Sequence, residues 1–269
     1  MTTTRPRLFA LRQPLPLPVY LAVAAASVAT LLGVWCAVGY GQLASPLFVP
    51  TPTAVWQRLG ELHTDGLLWE DLSASVGRIF AGFALATVVA VPLGLLVGNV
   101  RFFEALCEPL IGFLRYLPVP AFIPLLILYT GIGETPKILV IFIGTFVQET
   151  VMVADVAKQV RADLIRAATV LGATTGEVFT RVIARASLPG IVDVARLNLG
   201  FAWTYLVVAE LVAANEGLGL RILKSQRFLQ TDTIFLYLLI IGVLGLASDL
   251  AFKLVHRFAF PWAQERLSA

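Results

Sequence analysis

Apolar residues fall along this chain in long blocks separated by short polar stretches, and the blocks set its plan. Six stand out, at 18–38, 76–98, 106–131, 137–157, 190–213 and 233–256. Each approaches or exceeds the roughly 20 residues a helix needs to cross a hydrocarbon core about 30 Å thick. The expected architecture is all-α, with six membrane spans. The first block lies too far along the chain, and is too poorly followed by a cleavage site, to read as a secretory leader. Nothing reads as a separate soluble domain, so residues 1–269 are taken as one transmembrane domain.

Two polar stretches carry helical patterns of their own. In 39–75, Thr51 is placed to cap a helix that has Pro52 at its first position. Val55, Leu59 and Leu62 share one face, which predicts a short helix lying along the membrane surface. The second stretch, 164–189, reads LIRAATVLGATTGEVFTRVIARASLP. Leu164, Ala167, Ala168 and Leu171 recur at helical spacing, and Gly172 follows as a stop, since glycine reaches left-handed dihedrals without penalty. Thr174 with Glu177 three residues on forms a capping box that restarts a helix. That helix carries Phe179, Val182, Ile183 and Ala186 on one face, and Arg181 and Arg185 on another. Leu188-Pro189 is expected to end it before the fifth span. Such a helical elbow has two physical readings: a hairpin lying on the membrane, or a rigid knob that fills a cleft on a partner.

Composition supports the membrane assignment. Hydrophobic residues make up 58% of the chain and charged residues 14%, with a mean hydropathy of +0.84. A soluble domain carries about 25% charged residues. The net charge of +3 and pI near 9.0 would suit a nucleic-acid binder in a soluble chain. Here the distribution of lysine and arginine matters more. The termini, 99–105 and 158–189 together hold twelve of them, and the opposite side holds five. That bias places both termini and the elbow in the cytoplasm. Cys36 and Cys107 have no metal-ligand spacing and read as small buried hydrophobes. His63 is expected to be solvated. No GxxxxGK[ST] phosphate loop and no HExxH occurs, so the chain has no nucleotide-hydrolysing site of that kind and no zinc-protease motif.

Polar and irregular features inside the spans mark where a pathway would run. YLPVPAFIP holds Pro118, Pro120 and Pro124, each removing a backbone donor, so the third span is expected to break. Irregular backbone at membrane depth is tolerated where protein or a water-filled cavity surrounds it. Thr145, Gln148 and Glu149 in the fourth span, and Asn198, Trp203, Thr204 and Tyr205 in the fifth, are candidate lining groups. Arg78, Arg196, Asp193 and Glu210 are expected to pair as structural ions. A mainly neutral pathway is therefore predicted.

RAATVLGATTGEVFTRVIARASLP resembles the EAA loop of ABC-importer permeases. Ala167, Ala168 and Gly172 match its pattern, while Arg166 stands where the family has glutamate. Ala184-Arg185 occupy the place of an inner Leu-Pro seen in many members. The resemblance extends in order through SVGRIFAGFALATVVAVPLGLLVG, FLRYLPVPAFIPLLILYTGIGETPKI and VVAELVAANEGLGLRI, covering roughly 46–258. The set is similar to permeases of the nitrate, sulfonate, taurine and bicarbonate branch. The resemblance implies a type I importer fold in a bacterial inner membrane, with two permease copies forming the path for a small solute, an anion of the nitrate, sulfonate, taurine or bicarbonate type. Two cytoplasmic ATPase subunits would grip the elbow at Arg166, Ala167, Ala168, Gly172, Ala173 and Glu177, and would carry the ATP and Mg. This chain would bind no cofactor. An external binding protein would deliver cargo, and Pro118, Pro120, Thr145, Gln148, Glu149, Asn198, Trp203 and Tyr205 would line the path. The rival reading is a self-sufficient secondary transporter or channel, which often shows two similar halves. No convincing internal repeat is visible.

Overall fold

The computed structural model describes residues 15–213 and 215–262, and among these it is built of helices. Five are long and apolar enough to cross a membrane, or six if a sharply bent pair is counted as one span. The first, α1 (Leu17–Tyr40), exposes nearly every side chain, as befits a peripheral helix surrounded by lipid. Its far end is tied down where the Trp35 indole donates to the Pro50 carbonyl at 2.9 Å. The surface helix α2 (Pro52–Thr64) forms as its pattern predicts. Thr51 accepts from the Ala54 N–H, Pro52 takes the first position, and Val55 and Leu62 are buried.

Helix α3 (Leu67–Asn99) begins two turns before the expected 76. The reason is polar. Asp71, Ser75 and Arg78 lie on one face and are buried against other helices, so they extend the helix where apolarity alone would end it. The third span is broken as its prolines require. Helix α4 (Arg101–Leu114) gives way to a 3-10 turn at Val119–Phe122 and then to α5 (Ile123–Thr130), with a 90° bend between the two arms.

Helix α6 (Glu134–Lys158) is the central member, and it packs along most of α3. Gly82, Ala86, Ala90, Gly94 and Gly98 form a stripe of small residues on α3, four apart, that lets the two backbones approach closely. A Cβ built at Gly94 would sit 2.8 Å from the Thr150 carbonyl oxygen and 2.7 Å from Val153 Cβ. Gly94→Leu should therefore force α3 off α6 and destabilise the bundle by about 1–3 kcal/mol or more. A lowered melting temperature in detergent is the check.

Helix α7 (Ala162–Val170), α8 (Thr175–Glu177), a π-helical turn (Val178–Ile183) and α9 (Ala184–Ala213) follow, then α10 (Leu218–Arg227) and α11 (Thr231–Ala259). Here one expectation fails. Pro189 does not end the elbow's second helix but lies inside α9, which runs on from the π turn as one helix. The carbonyl that loses its partner belongs to exposed Arg185. Local widening such as the π turn just upstream is one way a membrane helix absorbs a missing bond. Helices α3, α6, α9 and α11 share the main core, with Ile79, Ile141, Leu206 and Tyr237 almost wholly buried.

Candidate functional site

Three polar or irregular features are built onto this bundle. The first is a buried clamp at the end remote from the elbow. Arg78 donates through Nη1 to Glu210 at 2.7 Å and to the Glu216 carbonyl at 2.8 Å, and through Nη2 to Glu134 at 2.9 Å. Ser75 donates to Glu210 at 2.7 Å, and the Gly219 N–H completes that carboxylate at 2.8 Å. Beside it, Asp71 accepts from the Gly217 N–H, from Arg221 Nε at 2.7 Å and from the Tyr237 hydroxyl at 2.8 Å. Burial works against the Arg221 charge, but the Asp71 carboxylate outweighs it and holds the guanidinium pKa above its ordinary value. The clamp fixes the turn at 215–217 and α10 onto α3, α9 and α11. Arg78 and Glu210 pair as expected from sequence, whereas Arg196 and Asp193 belong to a separate group with Asp249 and His256 that joins α9 to α11.

The second feature is a cleft of about 600 Å³ between the broken third span and the middle of α6. Pro118 and Pro120 form one wall, and Gln148 and Tyr205 face them. Those four sequence candidates are brought together. The other four are placed elsewhere. Thr145 is fully buried and returns its hydroxyl to the Ile141 carbonyl at 2.6 Å. Glu149 is buried against Thr87 at 3.1 Å. Asn198 donates to the Val194 carbonyl within its own helix, and Trp203 is buried in the main core. Around α6 Thr145 and Glu149 are turned into the packed side, while Gln148, about 60° from Thr145 and about 100° from Glu149 on the helix, lies at the edge that is exposed to the cleft. The cleft is also lined by Arg115, a cation at the end of α4. A neutral lining is thus revised by one charge.

The third feature is the elbow. Gly172 adopts φ +86, the Ala173 N–H donates to the Ala168 carbonyl at 3.0 Å, and the Gly172 N–H donates to Thr169 at 3.0 Å. This is a Schellman motif, and it closes α7 as the sequence predicts. Thr174 and Glu177 complete a capping box, and Glu177 also pairs with Arg181 at 3.1 Å. Val178 and Ile183 of the restarted helix are buried, and Phe179 packs against the cluster of Val153, Ala157, Ile191 and Val194 from α6 and α9. At the tip, Val170 and Leu171 are 86% and 87% exposed, beside exposed Arg166. His63, at the other end, is exposed and accepts from the Trp69 indole at 3.0 Å.

Comparison with known proteins bears on all three features. Residues 90–260 match the family described as binding-protein-dependent transport system inner membrane component. The chain is 41% identical over 218 residues to a probable ABC transporter permease protein of Brucella abortus, covering 81% of this chain and 87% of that one. It is 34% identical over 259 residues to the taurine transport system permease protein of Escherichia coli, covering 94% of each. Among solved structures, the inward-facing MetNI methionine ABC transporter superposes with a TM-score of 0.64 at 20% identity, over 71% of this chain and 95% of that one. The bent span, the buried clamp and the capped elbow therefore sit on a type I importer fold, and the chain belongs to the family of binding-protein-dependent ABC-importer permeases, the bacterial inner-membrane subunits whose ATPase activity resides on separate chains.

Proposed function

We propose that two copies of this chain face each other across their clefts to form one path for a small oxyanion of the sulfonate or nitrate class. The name of the taurine relative and its match over nearly the whole chain support that cargo class. In this reading both termini and the elbow are cytoplasmic, in line with the distribution of lysine and arginine. The external binding protein selects the cargo and delivers it to the clamp end. ATP and Mg are held by the ATPase subunits, which take the elbow tip into a cleft of their own.

The observation that carries this reading is the elbow. It is held rigid by a Schellman motif and a capping box, yet it leaves Val170 and Leu171 almost fully bare. Apolar side chains held bare on a rigid knob fit a partner's pocket. Co-purification tests it. The ATPase subunits should travel with the wild-type chain and be lost with Leu171→Asp. Arg166→Glu should weaken the association at low ionic strength, with the difference closing in high salt. Retention of the ATPase subunits by Leu171→Asp would place the contact elsewhere.

A further inference from the structure

We infer that Arg115 is the cation that holds the anionic headgroup of the cargo midway along the path, a role that rests on the permease reading above. The argument begins with depth. Glu104, near the start of α4, is bound to Lys158, the last residue of α6, at 2.8 Å. Arg115 lies three turns further along, roughly 16 Å from that level. The cleft it borders is walled by α6 residues from the middle of that helix, Phe142 to Gln148. A charge at that depth is costly and is retained where it faces a water-filled cavity or a mate.

No mate is present among the described residues. Among the described residues Arg115 makes no ion pair, and its only side-chain bond runs from Nη2 to the Tyr116 hydroxyl at 2.8 Å. The same guanidinium stacks over the Tyr116 ring at 4.9 Å from its centroid. Tyrosine thus holds the group in place while leaving most of its five N–H donors free. A planar fork of free donors matches adjacent oxygens of a sulfonate or nitrate, which is how arginine recognises oxyanions elsewhere.

The surroundings supply a direction. Among the described residues no aspartate or glutamate lines the cleft on the side of Gln148 and Tyr205. On its other side Arg115 borders a recess containing Glu108 and Asp155. An anion on the cleft side meets an uncontested cation, whereas a guanidinium turned to the recess meets carboxylates that compete for it. Arg115 therefore binds on one face and lets go on the other, without the tight site that would stall turnover.

The test uses a sulfonate as its own probe and needs no knowledge of the natural cargo. In a chain with Cys36 and Cys107 changed to alanine, Gln148→Cys places one thiol in the cleft. The complex, with its ATPase subunits, is put in nanodiscs of phosphatidylcholine, so no anionic lipid competes. Labelling by sulfonatoethyl methanethiosulfonate is then compared with labelling by its trimethylammonioethyl counterpart. The anionic-to-cationic rate ratio should fall about tenfold with Arg115→Gln and recover with Arg115→Lys, because a charged cleft concentrates counter-ions by that order. An unchanged ratio overturns the inference. So does a thiol that neither reagent reaches with or without ATP. Co-purification of the ATPase subunits with Arg115→Gln tests the permease reading separately and is expected in either case.

Discussion

Arg78→Leu is expected to be among the most damaging single substitutions in the bundle. Arg78 is 2% exposed and Glu210 is wholly buried, and the guanidinium joins Glu210, Glu134 and the Glu216 carbonyl at once. Removing one partner of a buried pair costs about 3–5 kcal/mol, because the charge left behind keeps its desolvation penalty without its compensation. Glu210 would retain its bonds from Ser75 and the Gly219 N–H, but those are neutral donors. Lysine should not rescue, since a single ammonium cannot span the three acceptors that the planar fork reaches. The check is melting temperature and yield in detergent. Arg78→Leu should accumulate poorly and melt well below the wild type, and Arg78→Lys should sit nearer the leucine variant. Wild-type melting by Arg78→Leu would mean the clamp does not hold α10 in place.

Gly172→Val should do the opposite, sparing the bundle and abolishing its use. At φ +86 a β-branched residue is strained by about 1 kcal/mol or more, so the Schellman closure would be lost or distorted. No atom lies within 4 Å of a Cβ built there, so the damage is in backbone direction rather than in packing. The α7 tip would then point away from its socket while the spans stay intact. Uptake and cargo-stimulated ATP hydrolysis should collapse with normal insertion and near-normal melting. Gly172→Ala should fall between, since alanine carries the dihedral penalty without the branch. Full transport by the valine variant would remove the elbow's angle from the mechanism.

Much of this molecule is legible in its sequence because membrane helices obey a simple rule: their backbone must satisfy itself. The apolar cores of the spans, the three prolines of the third span and the Gly172 stop each state a backbone fact directly, and each has its counterpart in the fold, although α3 and α9 begin earlier than their apolar blocks. What escaped reading depends on which face a residue takes. Thr145 and Gln148 are three apart in one apolar helix, yet one is buried in packing and the other opens on the cleft. Hydropathy does not separate them. The early start of α3 was hidden because Glu70 and Asp71, ahead of the apolar block, look like loop chemistry. The signal was there in the spacing of Asp71, Ser75 and Arg78, an i, i+4, i+7 stripe that a buried polar network requires. Pro189 misled because proline breaks a soluble helix more readily than a membrane one. Arg115 was visible as a cation inside a span, but only the bend of α4 away from α5 shows that it borders a cavity.

The central claim is that this chain moves cargo only as one part of an ATP-driven assembly. Proteoliposomes test it with the least inference. They would carry either the chain alone or the chain with its ATPase subunits, with or without the binding protein, and internal cargo would be followed over time. Accumulation should require the ATPase subunits, ATP and the loaded binding protein together, and should stop when any one is withheld. Sustained movement of cargo through the chain alone, with no ATP present, would contradict the account and make it a self-sufficient carrier or channel.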